Sequence, residues 1–200
     1  MAVSYKLAAH SSKLASHISP LIFAAKKRME GLRVADSFTV MNEIVLPNDT
    51  NTFGNLMGGR LMYWMDIAAA MAAGKHCKGP SMTASVDNIS FKTPIKLGNL
   101  VHIEARLTRA FNTSMEINIR VWGQDYDHQY ESNEAYFTFV GLGADGKPRP
   151  VPSVIPETEE EKIMYESALR RRQVRLILGG KMKPSEAEEL KALFISQTPK

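Results

Sequence analysis

The residues best suited to chemistry in this chain lie close together: Asn51, the pair Gly58-Gly59, and Asp66. Asp66 is the only charged residue between Leu61 and Gly74, in a run of alanine, methionine and aromatic side chains. Aspartate is a poor helix-interior residue and is seldom buried without a partner. On a helical wheel it shares its side with Met62, Ala69, Ala70 and Ala73, and small alanines leave room beside a carboxylate for a ligand. A carboxylate so placed can act as a general base. It can also be a structural aspartate bonded to a neighbouring strand, or one at an exposed point of a subunit surface; spacing alone weighs function and structure evenly. The amide of Asn51 can polarise a carbonyl or hold a water. In Asn-Asp-Thr-Asn it is also good turn chemistry, the stronger reading of that residue alone. Gly58 and Gly59 would expose backbone N–H groups at the positive end of a helix, where an oxyanion or a phosphate is stabilised. Taken alone, the pair reads as an ordinary helix entry.

Other constellations fail on their surroundings. Gly141-Leu-Gly143-Ala-Asp-Gly146 matches a dinucleotide-binding fingerprint and follows a strand. Pro148, Pro150 and Pro152 then forbid the helix that motif needs, so it reads as a loop. The histidines at 10, 17, 76, 102 and 128 show no metal-ligand spacing. His76 and Cys77 are sequence neighbours, which rarely face each other well enough for one to activate the other, so Cys77 reads as a structural cysteine. The arginines from Arg170 to Arg175 read as a solvated helix face, although they could meet phosphates.

The elements that must position these groups follow from pattern. Residues 37 to 46 read as a strand, stopped by the turn chemistry of Pro47-Asn-Asp-Thr-Asn51. Residues 60 to 73 read as a helix closed by Gly74 and Lys75. Its apolar side chains point in nearly every direction, so it must be covered all round, and one sheet covers only one side. Strands follow near 81–91, 98–111, 114–125 and 130–142, with a tight hairpin at Asn112-Thr113. The prolines of Lys147-Pro-Arg-Pro-Val-Pro152 end the sheet. Thr158-Glu-Glu-Glu161 has capping-box spacing and opens a helix that is acidic at its start, basic later, and ends at Gly179-Gly180. Ser185-Glu-Ala-Glu188 opens a shorter helix to about Ile195. The result is an α+β arrangement: a meander of antiparallel strands wrapped on one long helix, with a helical tail. Residues 1–36 read as an N-terminal arm (a short helix or a disordered segment), 37–152 as the domain proper, and 153–200 as the tail.

Length and composition set bounds. The chain has 200 residues, 44% hydrophobic and 23% charged, which suits one globular domain with appendages. A single cysteine rules out an intramolecular disulfide and fits a reducing compartment. No apolar run reaches the roughly 20 residues that span a bilayer, no secretory signal is visible, and the cytoplasm is the expected location. A net charge of +4 suits a polyanionic ligand without demanding one.

The run Pro47-Asn-Asp-Thr-Asn51-Thr-Phe-Gly54-Asn-Leu-Met-Gly58-Gly59-Arg-Leu-Met-Tyr-Trp-Met-Asp66 resembles the hot-dog acyl-CoA thioesterases, among them the YciA-type bacterial enzymes and the brain acyl-CoA hydrolases. The likeness continues through Ser85-Val-Asp-Asn-Ile-Ser-Phe-Lys-Thr-Pro94 and Asn133-Glu-Ala-Tyr-Phe-Thr-Phe-Val140, covering roughly residues 37 to 152. It implies a hot-dog fold that pairs into dimers, often three pairs to a hexamer, which would supply the second cover for the helix. It implies hydrolysis of acyl-CoA in fatty acid metabolism. The aspartate at Asp66 would be general base or nucleophile, and the asparagine at Asn51, from the partner subunit, would orient water or thioester. The Gly58-Gly59 backbone would stabilise the thioester oxygen, and Asn88, Phe91, Lys92, Thr93 and Pro94 would run beside the CoA arm. Many relatives carry His or Phe before the glycine pair, where this chain has Met57, a difference that bears on acyl-chain preference. No metal or redox cofactor is required, because a thioester is already an activated acyl group.

Three rivals have less support. A hot-dog dehydratase or hydratase pairs a histidine with an acid, and no histidine precedes His76 in the loop-and-helix region. A non-catalytic acyl-CoA sensor gains nothing from an ionisable group at Asp66. Nucleic-acid binding by the basic tail lacks interleaved aromatic residues.

Overall fold

A computed structural model describes residues 30–196, except for the side chains of Asn88 and residues 194–196. Most of the expected N-terminal arm, up to residue 29, lies outside the described residues.

The long helix α2 spans Gly58–Cys77. Leu61, Trp64, Met65, Ala68, Ala69, Ala72 and Ala73 are buried along it. Alanine at four of these positions lets the helix axis lie close to the sheet. Five antiparallel strands receive it: β2 (Thr39–Ile44), β3 (Ser81–Phe91), β4 (Leu100–Ala110), β5 (Ser114–Gln124) and β6 (Gln129–Gly141), in the order β2-β4-β5-β6-β3. This is the expected α+β arrangement of helix and curled meander. Period-two alternation sends Ile103, Ala105 and Leu107 of β4, Ile117, Ile119 and Val121 of β5, and Ala135, Phe137 and Phe139 of β6 into the core, all with at most 1% exposure.

α2 continues past the predicted stop at Gly74 to Cys77, and Lys78 closes it in the left-handed conformation with φ 50°. The cause is tertiary. His76 and Cys77 are both buried, so another turn of helix gains packing that Gly74 could not forbid. Before the first sheet strand, β1 (Leu32–Arg33) pairs in parallel with β7 (Val154–Ile155), and α1 (Val34–Ser37) links β1 to β2.

The tail packs onto the sheet. Helix α3 (Glu159–Leu178) begins with the expected capping box: Thr158 Oγ1 accepts from the Glu161 N–H at 3.2 Å, and Glu161 Oε2 accepts from the Thr158 N–H at 3.2 Å. Its arginines are not the solvated face that their clustering predicts. Arg171 donates to the fully buried Glu116 at 2.8 Å and lies 3.9 Å above the Tyr136 ring, while Arg175 pairs with Asp87 of β3. The outer side of β5, with its buried Glu116 and Asn118, is thus covered, and that strand is buried on both faces. The second capping box does not form. Pro184–Glu186 makes a 3-10 turn instead, and α4 (Glu188–Ser196) starts behind the buried Ala187, whose carbonyl accepts from the Lys191 N–H.

Candidate active site

Asp66 lies on α2, half-buried, at the border between the side that faces the sheet and the side left open. Ala69 and Ala73 beside it are buried, whereas Met62, Tyr63 and Met71 are exposed at 38%, 54% and 40%. One carboxylate oxygen is occupied: Thr83 of β3 donates its hydroxyl to Asp66 Oδ1 at 2.7 Å. Oδ2 has no hydrogen-bond donor among the described residues. A carboxylate held through one oxygen, with the other lacking such a donor, can accept a proton from a water or attack a carbonyl carbon.

Sequence reasoning missed Thr83. Threonine is ordinary in a strand, and nothing in Ser81-Met-Thr83 marks the hydroxyl out. Its aim depends on register: Thr83 pairs with Phe139, and a register shift between Thr83 and Ser85 re-phases the strand after it. That placement puts Thr83 toward α2.

Asn51 sits at the surface in the loop before α2. Its Oδ1 accepts from the Phe53 N–H at 2.9 Å and the Asn55 N–H at 3.2 Å, so its side chain shapes its own loop. Among the described residues no hydrogen bond joins Asn51 to Asp66. Gly58 and Gly59 are the first two residues of α2, where N–H groups have no acceptor within the helix. At Gly58 an added Cβ would meet the Phe91 ring at 3.0 Å, so the end of β3 packs against the helix start. At Gly59 nothing lies within 4 Å.

Phe91, Lys92, Thr93 and Pro94 form an exposed strap beside this helix start. It is held to β6: Ser132 Oγ donates to the Thr93 carbonyl at 2.8 Å and Tyr130 donates to the Pro94 carbonyl at 3.3 Å. Lys92 pairs with Glu131 at 3.4 Å. The backbone of Asn88 lies in β3, and its side chain is outside the described residues. His76 is buried at the far end of α2 and bonds the Pro152 carbonyl at 2.9 Å, so it does not pair with Asp66. Among the described residues no group of three or more His, Cys, Asp or Glu could hold a metal ion.

Known proteins resemble this chain in both sequence and fold. The model of the Thioesterase superfamily matches residues 53–127. The uncharacterized acyl-CoA thioester hydrolase YkhA of Bacillus subtilis is 36% identical over 138 residues, which make up 68% of this chain and 80% of that protein. The chain belongs to the thioesterase superfamily. A solved hexameric acyl-CoA thioesterase superposes on this superfamily chain with a TM-score of 0.74 and 35% identity, covering 76% of this chain and 98% of that one. An acyl-CoA hydrolase of Staphylococcus aureus, solved with butyryl coenzyme A, coenzyme A and coenzyme A disulfide, gives a TM-score of 0.70 at 34% identity over 75% of this chain and 94% of its own. The chain also matches mouse acyl-coenzyme A thioesterase 11 at 39% identity over 72% of its own length, but spans only 24% of that longer protein. Solved variants of the S. aureus hydrolase replace an asparagine, an aspartate 15 residues on, and a threonine 17 residues beyond that. Asn51, Asp66 and Thr83 of this superfamily chain have the same two spacings.

Proposed function

We propose that this protein hydrolyses acyl-CoA thioesters to a free acid and CoA. The observation that carries the reading is the half-buried Asp66 carboxylate, held by Thr83 at 2.7 Å at the border of the exposed side of α2. Asp66 takes a proton from a water as that water attacks the thioester carbonyl carbon. The tetrahedral oxyanion lies against the N–H groups of Gly58 and Gly59. The C–S bond then breaks, and the CoA sulfur leaves as a thiolate that gains a proton. The strap from Asn88 to Pro94 runs beside the CoA arm. No metal or redox cofactor enters these steps.

The site is completed by a second copy, with Asn51 of the partner subunit orienting the water or the thioester. Two features support this. The sheet order leaves the eleven-residue β3 as an uncovered edge, and long uncovered edges invite pairing. The exposed Met62, Tyr63 and Met71 leave the second side of α2 uncovered. We assign a dimer or a trimer of dimers, in keeping with the hexameric relative. No described helix is long and apolar enough to cross a membrane; we assign the enzyme to the cytoplasm and give nucleic acid no part in its action.

The test follows CoA release from acyl-CoAs of graded chain length with a thiol reagent. Asp66→Asn should lower kcat by about 10²–10⁴-fold while retaining binding of a non-hydrolysable CoA analogue. Binding without turnover by the wild type would make the protein an acyl-CoA sensor. Unchanged turnover by Asp66→Asn would remove the base from the mechanism, and a trapped acyl-enzyme would make Asp66 the nucleophile.

A further inference from the structure

The residues from 49 to 57 form a closed excursion. Its ends are joined by the Met57 N–H donating to the Asp49 carbonyl at 2.8 Å, and Thr50 bridges Leu56 within it. Asn51 is on the exposed side of this loop. The Asp49 side chain is only 5% exposed, and both its oxygens are bound. Oδ2 accepts from the Leu46 N–H at 3.1 Å, and Oδ1 accepts from Arg60 Nε at 2.7 Å. Arg60 is in the first turn of α2, which contains no acidic residue. A cation there opposes the helix dipole, so helix stability gives no reason for an arginine at this position. The Arg60 guanidinium is held a second time, 5.3 Å from the ring centres of both Tyr63 and Trp64. The buried carboxylate therefore ties the root of the Asn51 loop to a guanidinium on the helix, whose side chain is 42% exposed and rests against two rings of the same helix.

We propose that Asp49 is a positioning residue, which acts through Arg60 to set the Asn51 loop against the start of α2. This rests on the hydrolase reading above, in which Asn51 reaches the reacting water or thioester. A small rotation of the loop root would misplace the amide, and misplacement on the order of 1 Å can cost about 10²-fold in rate.

Asp49→Asn keeps an acceptor for the Leu46 N–H and removes the charge facing Arg60. It should lower kcat by roughly 10–100-fold with KM within about twofold. Arg60→Met should do the same, and the double variant should be no worse than either single one. In an Asn51→Ala background the effect of Asp49→Asn should shrink below about twofold, since an absent amide cannot be misplaced. Hydrogen exchange supplies a readout independent of turnover: amides of residues 50–57 should exchange faster in Asp49→Asn. Wild-type kcat in Asp49→Asn overturns the proposal, as does an equal loss with and without Asn51, or a fall in melting temperature alone. If the wild type cleaves no acyl-CoA, the hydrolase reading falls, and the exchange arm decides the clamp: unchanged exchange overturns it.

Discussion

At the residue scale, the Thr83–Asp66 hydrogen bond decides how the carboxylate can be used. The hydroxyl binds Oδ1 and restrains the group, while Oδ2 has no donor among the described residues. A hydrogen bond to a charged group contributes about 1.5–3 kcal/mol, so Thr83→Val, nearly isosteric, should lower kcat by roughly 10–100-fold. Thr83→Ser should restore most of it, a contrast that steady-state kinetics on one acyl-CoA would read. His76 makes a prediction about stability. Burial holds its imidazole below the usual range, while the Pro152 carbonyl and Asp36 act the other way. Its Nδ1 is buried with no hydrogen-bond partner among the described residues. The folded state therefore keeps His76 neutral at a pH where the unfolded chain, with an imidazole near 6.5, takes up a proton. Stability should fall as pH drops below about 6.5, with a slope no steeper than about 1.4 kcal/mol per pH unit from this group. Urea midpoints from pH 7.5 to 5 should fall less in His76→Gln than in the wild type.

At the element scale, α3 is held by ion pairs rather than by an apolar stripe. Glu116 is fully buried, accepts from Thr108 at 2.7 Å and from Arg171 at 2.8 Å, and has Arg175 at 4.0 Å. Removing one partner of a buried pair leaves an uncompensated charge. Arg171→Met should therefore cost about 3–5 kcal/mol, whereas Arg171→Met with Glu116→Leu should cost much less or nothing. Denaturant melts of the two single variants and the double variant would show this coupling. It separates a helix docked by charge from one that only shields the sheet. Arg175 ties the same helix to Asp87, on the strand that carries Thr83.

At the scale of the whole molecule, the proposed mechanism divides the site between two chains. Asn51 spends its oxygen on its own loop, and Asp66 lies beside a helix face where Met62, Tyr63 and Met71 stand exposed. Under the proposed mechanism a second copy covers that face and brings its asparagine. Met62→Glu with Met71→Glu places charge on the surface to be covered, which should yield a monomer in sedimentation equilibrium and lower turnover by at least about 10²-fold. A monomer with full activity would place the whole site within one chain.

What the sequence determined by itself is local or periodic. The strand at 81–91 and the capping box at Thr158 follow from neighbours in the chain, and the antiparallel meander follows from alternation between turns. The exceptional charge of Asp66 within an apolar helix was legible for the same reason, as was the run from Pro47 to Asp66 that carries the family resemblance. Only the tertiary structure decided the rest. Thr83 is one hydroxyl among several in its strand until its register opposite Phe139 turns it toward Asp66. Arg171 and Arg175 are surface-like by composition until α3 lies across β5 and meets a buried glutamate. α2 runs on to Cys77 because the packing of His76 outweighs the local stop at Gly74. Propensity is set within a few residues, whereas a hydrogen bond or a buried ion pair between distant residues exists only once the sheet has fixed where each side chain points.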